Sequence, residues 1–339
     1  MEDKKFLRLI AALLCALLFT GLLLGAGYVM NVFLNPTQAD TSDPTQSPTE
    51  GPTEGPTEGS TEGPTEEPTV PALSLPAIEL TARHSFLYIP ETGQFLMLKG
   101  GEEDKIYPAS LTKLFSTYVA LMYLDVEMQV TVGSEVYSVS QDSSKAGLTP
   151  GDVLTVRKLV EAMLLPSGND AAMTLAAATG RQLEGNPKLS YKNAIARFVE
   201  EMNTVAQKLG LTGSHFENPD GYHNQNHYTT CRDMQKIGEL ALSQPVILQA
   251  MGTQKVVVDL QYDYPGGWQN TNLLIQPNSA YYNPAAKGMK TGYTRAAGYC
   301  LMSAFAFEGK TVMVGVFGCP EMTGRFVDAQ KIFDVYTRQ

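Results

Sequence analysis

The stretch YPASLTKLFSTYVALMYLD, residues 107–125, decides how the rest of the chain is interpreted. Its apolar residues fall on nearly every side of a helix, which predicts a helix buried inside a domain. Its first turn nevertheless carries Ser110 and Lys113, which are three residues apart and therefore share a helical face. Because a buried cation without a use is costly, we interpret the pair as a serine nucleophile with a desolvated, neutral lysine as its base. The alternative is a surface serine and lysine on a fraying first turn.

Two further short motifs supply the partners that this pair needs. The tripeptide SGN at residues 167–169, within LLPSGNDAA, lies in a predicted turn between two helices, where polar side chains can project into a cleft. The tripeptide KTG at residues 290–292, within GMKTGYTRAAGYC, suits a strand whose glycine permits close approach of a ligand. S-x-x-K, S-x-N and K-T-G in this order are the motifs of penicillin-recognising serine enzymes. Each motif is weak alone, and the three together are specific.

With the longer segments around these motifs, the region from Leu80 to the C terminus resembles the D-alanyl-D-alanine carboxypeptidases, which are low-molecular-weight penicillin-binding proteins. The segments that carry the resemblance are PASLTKL, LLPSGNDAA, HFENPDGYHNQNHYTT from His215, NTNLL from Asn270, and GMKTGYTRAAGYCL. The resemblance implies an antiparallel sheet flanked by helices, with the Ser110 helix between the sheet and a helical subdomain. Cys231 departs from the family pattern, since a small residue is expected there.

The resemblance also implies a peptidase mechanism with three catalytic residues: Ser110, Lys113 and Ser167. Lys113, with its pKa lowered by burial and by the cation at Lys290, accepts the proton of Ser110. Ser110 attacks the carbonyl between the two terminal D-alanines of a peptidoglycan stem peptide, and Ser167 relays the proton to the leaving amine. The backbone N–H groups of Ser110 and Tyr293 form the expected oxyanion hole. Water then hydrolyses the acyl-enzyme, β-lactams are expected as covalent inhibitors, and neither a cofactor nor a metal ion is needed.

Six residues are expected to bind the substrate or to orient the groups around it: Asn169, Lys290, Thr291, Gly292, Tyr293 and Arg325. Asn169 orients the lysine base and the substrate amide. Lys290 and Thr291 bind the terminal carboxylate, and Arg325 assists them. Recognition of a terminal carboxylate makes the predicted enzyme an exopeptidase.

Outside the motifs, hydrophobic periodicity predicts an α+β fold in three layers. Residues 85–89 and 94–98 form a predicted hairpin, and a second hairpin near the end of the chain carries Cys300 and Cys319. Other elements are predicted between and after them: helices over 155–165, 170–179, 193–209 and 324–336, and a strand over 254–260. Strands at both ends with helices between them predict one sheet built from distant segments, with a helical insertion.

The register of the second hairpin leaves a disulfide between Cys300 and Cys319 open. If Phe307 pairs with Lys310, the two cysteines lie diagonally across the strands, whereas a pairing of Phe307 with Val312 places them directly opposite each other. The sequence allows both registers.

The N-terminal part of the chain has a different composition. An uncharged run of 26 residues, 9–34, follows three basic residues, so residues 1–35 are predicted as a cytoplasmic tip with a transmembrane anchor, or as a signal segment that is removed. Residues 36–79, rich in Pro, Thr, Glu and Gly, form a predicted disordered linker. Residues 80–339 form the predicted carboxypeptidase domain outside the membrane. Many members of the family carry a second domain and a C-terminal membrane helix, and here the N-terminal span is expected to anchor the protein instead.

Charge and motif content restrict the alternatives. Eight acidic residues between positions 36 and 71 account for most of the formal net charge of −10, which gives no electrostatic reason to expect nucleic acid. A serine β-lactamase shares the three motifs, but one class uses an E-x-x-L-N loop that this sequence lacks. A non-catalytic wall-binding module on a tether is the other alternative, although it would not need a buried base.

Two histidines raise the question of a metal site. His223 and His227 have no acid between them, which favours turn-fixing side chains over metal ligands.

Overall fold

An antiparallel sheet formed from both ends of the described chain is the centre of the fold in this computed structural model, which describes residues 73–260, 264 and 266–339. Its strands are β1 (His84–Ile89), β2 (Gln94–Lys99), β7 (Ala286–Gly288), β8 (Thr291–Thr294), β9 (Gly298–Phe307) and β10 (Lys310–Cys319). The order is β2-β1-β10-β9-β7, and β8 also pairs with β9. Strand β1 pairs with β10 from His84 opposite Phe317 to Tyr88 opposite Met313. The predicted sheet built from distant segments is confirmed.

Helices and short strands fill the region between the two halves of the sheet. The helices are α1 (Thr112–Leu121), α2 (Val156–Leu164), α3 (Asn169–Leu183), α4 (Tyr191–Lys208), α5 (Cys231–Ser243) and α6 (Pro245–Gly252), and α7 (Gly324–Thr337) ends the chain. Two small ribbons pair β3 (Gln129–Thr131) with β4 (Val153–Thr155), and β5 (Lys255–Val256) with β6 (Trp268–Gln269). The strand predicted over 254–260 is therefore much shorter than expected, because only two residues of it find a partner strand.

The two faces of the sheet bury two separate cores, as the alternation of side chains along a strand requires. On β1, Phe86 and Tyr88 belong to the large core shared with α1 to α6. Leu87 and Ile89 face the other way and pack with Phe326 and other residues of α7. The protein thus has three layers, with α7 on one side of the sheet and the helical subdomain on the other. The α+β architecture predicted from the sequence is confirmed.

The C-terminal hairpin has the tighter of the two registers that the sequence allows. Lys310 pairs with Phe307, so the loop has two residues, and a bulge after Val316 brings Cys319 opposite Tyr299. The structure has no disulfide among the described residues, and Cys231, Cys300 and Cys319 are all buried free thiols.

The predicted membrane span at residues 9–34 and the linker up to residue 72 lie outside the described residues. Within the described ranges, no helix is long and apolar enough to cross a membrane. Residues 73–79 have no regular secondary structure, and Leu73, Leu75 and Ile78 pack beside α7.

Candidate active site

The candidate nucleophile Ser110 lies on a short 3₁₀ turn, Ala109–Leu111, that leads directly into α1. Leu111 and Leu114 are fully buried and anchor this turn in the core. Ala109, the residue before the serine, has a φ of 50°, a left-handed conformation that costs a non-glycine residue about 1–3 kcal/mol. The surrounding structure must hold this bend in place, and it leaves Ser110 on the wall of a cavity.

The side-chain amine of Lys113 is fully buried and makes three short contacts. Its Nζ lies 2.8 Å from Ser110 Oγ, 2.8 Å from Asn169 Oδ1 and 2.8 Å from the backbone oxygen of Asp220. The two carbonyl oxygens can only accept hydrogen bonds, so a neutral amine uses its two N–H donors there. Its lone pair then faces the Ser110 hydroxyl, which is the geometry of a base that takes the serine proton.

Burial has the largest effect on both cations of the site. It lowers the pKa of Lys113 to about 8, and the carboxylates of Asp220 and Asp170 oppose this shift. Lys290, expected from the sequence to contribute, is not a cause of the shift. Instead, burial and then the charges of Lys113 and Arg325 lower the pKa of Lys290 well below its usual value. A substrate carboxylate beside Lys290 would favour its charged form.

The SGN motif forms the sharp entry to α3. Ser167 has a φ of 64° and lines the cavity, and Asn169 is the first residue of α3. The backbone N–H of Asn169 donates to the Ser144 backbone oxygen at 2.8 Å. The carboxylate of Asp170 accepts from the backbone N–H groups of residues 146–148 at 2.8, 2.9 and 3.0 Å. Asp170, which was not predicted as a site residue, therefore ties the loop on one wall of the cavity to the helix that carries Asn169.

The KTG motif brings β8 against the nucleophile turn. A Cβ added at Gly292 would lie 3.0 Å from the Pro108 backbone oxygen and 3.2 Å from the Ser110 backbone nitrogen, so the two segments are in close contact. Arg325, on α7, donates from Nη1 to the Gly292 backbone oxygen at 3.2 Å. Its Nε is buried without a hydrogen-bond partner among the described residues. The guanidinium group is thus held beside β8 with a donor still unused.

Thr271 connects two of the motifs and was not predicted as a site residue. Its backbone N–H donates to the Leu165 backbone oxygen at 3.1 Å, just before the SGN turn, and its Oγ1 lies 2.6 Å from Thr291 Oγ1. The segment NTNLL signals this region, but the sequence alone does not reveal which of its side chains contacts the strand.

One cavity of about 820 Å³ brings the predicted residues together. It is lined by residues of all three motifs and by Arg325: Ser110, Ser167, Asn169, Thr291, Gly292, Tyr293 and Arg325. Lys113 and Lys290 are fully buried just behind this wall. A separate cavity of about 600 Å³, lined in part by Leu242, Leu248 and Phe305, contains no motif residue.

The rim of the large cavity carries residues that were not predicted to bind the substrate. The Tyr222 hydroxyl donates to Asp142 Oδ1 at 3.3 Å, which links two loops across the mouth. His223 packs edge-on against the ring of Tyr107, with centroids 4.9 Å apart. His227, by contrast, is buried below the site, where it bonds to Thr112 and to a loop backbone. In the part of the chain that the structure describes, no cluster of His, Cys, Asp or Glu could hold a metal ion.

Comparisons with known proteins place the chain in a family. A family model described as D-alanyl-D-alanine carboxypeptidase, Peptidase S11, matches residues 69–321. The D-alanyl-D-alanine carboxypeptidase DacF of Bacillus subtilis is 28% identical over 256 residues, which cover 75% of this chain and 61% of DacF. The D-alanyl-D-alanine carboxypeptidase of Streptomyces sp. strain K15 is 32% identical over 252 residues, covering 72% of this chain and 82% of that enzyme. The chain thus spans less than two thirds of the length of some curated relatives.

Solved structures of similar proteins have the same fold. The crystal structure of the Streptomyces K15 DD-transpeptidase superposes with a TM-score of 0.68 at 29% identity, covering 79% of this chain and 100% of that one. Penicillin-binding protein D2 of Listeria monocytogenes, in its ampicillin-bound form, superposes with a TM-score of 0.61 at 26% identity, covering 77% of this chain and 98% of that one.

Proposed function

Because the chain belongs to the D-alanyl-D-alanine carboxypeptidase family, Peptidase S11, we propose that it is a serine DD-carboxypeptidase that removes the terminal D-alanine from peptidoglycan stem pentapeptides. One observation carries the proposal. The amine of Lys113 lies 2.8 Å from Ser110 Oγ, and its other two contacts are acceptors, so the neutral amine can direct its lone pair at the hydroxyl. A buried lysine with no ion-pair partner in the described chain, beside a serine on a cavity wall, is a catalytic arrangement.

Acylation transfers one proton and exchanges one bond. Lys113 takes the proton of Ser110 as Oγ forms a bond to the carbonyl carbon between the two D-alanines. The tetrahedral oxyanion is stabilised by the backbone N–H groups of Ser110 and Tyr293, each worth about 3–4 kcal/mol in comparable enzymes. As the C–N bond breaks, the proton passes through Ser167 to the leaving D-alanine amine. Water then attacks the ester and releases the shortened peptide, and Ser110 regains its proton.

Recognition of the terminal carboxylate rests on the cations behind β8. Among the described residues, Lys290 is fully buried and Arg325 is nearly so beside this strand, and Thr291 adds a hydroxyl on the cavity wall. A free carboxylate placed there would be charge-neutralised and hydrogen-bonded, while an amide would leave the cations unpaired. This difference supports an exopeptidase. Asn169 orients Lys113 through its Oδ1 and keeps its side-chain N–H groups for the substrate amide.

We also propose that β-lactams acylate Ser110, as the similarity to an ampicillin-bound penicillin-binding protein supports. The uncharged run at residues 9–34 supports an N-terminal membrane anchor or export signal, with the enzyme acting outside the cytoplasmic membrane. The structural neighbour from Streptomyces is named for transpeptidation, in which an amine replaces water in the second step. Both reactions share the Ser110 acyl-enzyme.

The test uses the full-length protein in detergent with a fluorescent penicillin and a peptide ending in D-Ala-D-Ala. We expect covalent labelling and release of one D-alanine, both abolished by Ser110→Ala and unaffected by Ser243→Ala, which changes an exposed serine on α5. Labelling that survives in Ser110→Ala would place the nucleophile elsewhere.

Two rival functions are separated by the same assay. Rapid turnover of nitrocefin would indicate a β-lactamase, whereas the absence of both labelling and D-alanine release would indicate a wall-binding module. An added amine acceptor that traps part of the peptide as a longer product would extend the proposal to transpeptidation.

A further inference from the structure

A chain of three hydrogen bonds connects a distant loop to the peptide that precedes the nucleophile. The backbone N–H of Glu217 donates to His227 Nδ1 at 3.2 Å, and His227 Nε2 lies 2.8 Å from Thr112 Oγ1. The hydroxyl of Thr112 donates to the backbone oxygen of Ala109 at 2.8 Å. Thr112 and His227 are both buried, so water does not compete for these bonds.

The direction of every bond in this chain is determined by chemistry. The N–H of Glu217 can only donate, so Nδ1 of His227 is the acceptor and the ring proton is on Nε2. Nε2–H then donates to Thr112 Oγ1, and the single hydroxyl proton of Thr112 is free to bond the Ala109 oxygen. Burial, with smaller contributions from His215, His223 and Lys113, lowers the pKa of His227 to about 3. The ring is therefore neutral at neutral pH, and the bond from Glu217 selects the tautomer with its proton on Nε2.

The oxygen at the end of the chain belongs to the same planar unit as the Ser110 N–H. A trans peptide is rigid, and its C=O and N–H point in opposite directions. When Thr112 fixes the Ala109 oxygen on the buried side of the turn, it also fixes the direction of the Ser110 N–H on the other side. That N–H is one of the two expected oxyanion donors, and it lies beside β8, where a Cβ at Gly292 would be 3.2 Å away.

We propose that Thr112 and His227 are positioning residues, which lock the Ala109–Ser110 peptide so that the Ser110 N–H is aimed into the oxyanion hole. The proposal rests on the proposed function, because an oxyanion hole matters only if Ser110 is acylated. Ala109 adopts a left-handed φ of 50°, a conformation that persists only where neighbours over-determine it. The hydroxyl of Thr112 provides one such restraint.

The Ala109 oxygen has two further restraints: the backbone N–H of Thr112 also donates to it, and the other restraint is Gly221. Its φ is 80°, and a Cβ added there would lie 1.8 Å from the Ala109 backbone oxygen. The backbone at Gly221 thus packs directly against the Ala109 carbonyl. Gly221 belongs to the same loop as Asp220, whose backbone oxygen accepts a hydrogen bond from Lys113. Base and oxyanion donor are accordingly positioned by one loop, which His227 joins to α1.

The experiment compares two substitutions of Thr112 with a matched control on another helix. Thr112→Val removes the hydroxyl and keeps the shape, and Thr112→Ser keeps the hydroxyl. Thr179→Val makes the same change at a buried hydroxyl on α3, which donates to the Leu175 backbone oxygen at 2.8 Å and does not line the cavity. For each full-length variant, the penicillin acylation rate, kcat and KM for the D-Ala-D-Ala peptide, and the melting temperature are measured.

We expect Thr112→Val to lower the acylation rate and kcat about tenfold or more, because the Ser110 N–H would no longer point at the oxyanion. KM should change by less than about twofold. Thr112→Ser should restore most of the rate. Thr179→Val should lower the melting temperature without this loss of rate. His227→Leu should resemble Thr112→Val, and the double variant should be little slower than either alone, because both substitutions break the same chain.

An unchanged acylation rate in Thr112→Val, or an equal loss of rate in Thr179→Val, would overturn the proposal while leaving the carboxypeptidase function intact. If the unmodified protein neither reacts with penicillin nor releases D-alanine, the proposed function fails and this inference fails with it.

Discussion

Asn169 and Asp170 are adjacent at the start of α3 and bond to opposite parts of the site. Asn169 Oδ1 accepts from Lys113 Nζ at 2.8 Å, while the Asp170 carboxylate accepts from the backbone N–H groups of residues 146–148. The first turn of one helix thus holds both Lys113 and the loop that carries Ser143 and Ser144 on the cavity wall. We therefore expect substitutions of Asn169 and of Asp170 to differ in their effects on activity and stability.

Asp170→Asn should destabilise the protein by about 1–3 kcal/mol, because an amide group would face backbone N–H donors in place of one carboxylate oxygen. Loosening of the loop should also raise KM for the D-Ala-D-Ala peptide. Urea denaturation and steady-state kinetics measure the two effects. Asp233→Asn is the matched control, since Asp233 is a buried acid that accepts from Gly213 N away from the cavity. It should lower stability without changing KM, and an equal rise in KM in both variants would contradict the assignment.

Gly292→Ala should slow acylation about tenfold, because the new methyl group would push β8 away from the Ser110 turn. Small displacements of reacting groups lower the rate of reaction strongly. The Cβ would meet the Ser110 nitrogen at 3.2 Å. Gly252→Ala adds a Cβ 3.2 Å from the Lys287 backbone oxygen, and it serves as a control of similar crowding outside the site. The penicillin acylation rate is the measurement, and a wild-type rate in Gly292→Ala would show that the approach of β8 is not critical.

The rate of penicillin acylation should increase with pH and level off above about 8, where the Lys113 amine loses its proton. Burial lowers this pKa from the usual value of a lysine, so the neutral base is already present in a small fraction at neutral pH. Below the plateau, the rate should fall about tenfold for each pH unit. Stopped-flow labelling between pH 6 and 9.5 tests this profile. A rate that is constant or that declines as the pH rises would rule out Lys113 as the base.

Arg325→Gln should reduce the preference for a free C-terminal carboxylate. The unmodified enzyme should cleave a peptide ending in D-Ala-D-Ala much faster than the same peptide capped as an amide, because Arg325 and Lys290 lie beside β8. Loss of one charged hydrogen bond is worth about 1.5–3 kcal/mol, so the ratio of kcat/KM values should fall about tenfold or more. Arg338→Gln, an exposed residue after α7, is the control. An unchanged ratio in Arg325→Gln would remove it from carboxylate recognition.

The residues of the candidate site could be grouped from the sequence because each motif is local. Ser110 and Lys113 share a turn, and the residues at 167–169 and 290–292 are contiguous. Residues of all three motifs line one cavity in the structure. The fold class followed from the strands at both ends of the chain, which pair as expected, with His84 opposite Phe317.

Contacts between distant segments could not be predicted in the same way. The hydrogen bond of Thr112 with His227 joins residues 115 positions apart, and it depends on how the loop before α5 folds back over α1. The role of Asp170 was likewise hidden, because an acid in the first turn of a helix usually needs no explanation beyond the helix dipole. The predicted length of the strand over 254–260 was wrong for a related reason. Its alternating residues suit a strand, but only Lys255 and Val256 pair with residues of another strand.

The pairing of β1 with β10 has a consequence for the order of events during synthesis. β1 is among the first segments of the folded region to be made, yet its neighbour in the sheet is among the last. Until β10 is made, the edge of β1 is open to pairing with other chains. The contact between β1 and β10 also closes a long loop, which makes it slow to form. Arg325 is made later still, on α7, so a polypeptide interrupted before that point would contain Ser110, Lys113 and Lys290 but would lack the guanidinium group beside β8.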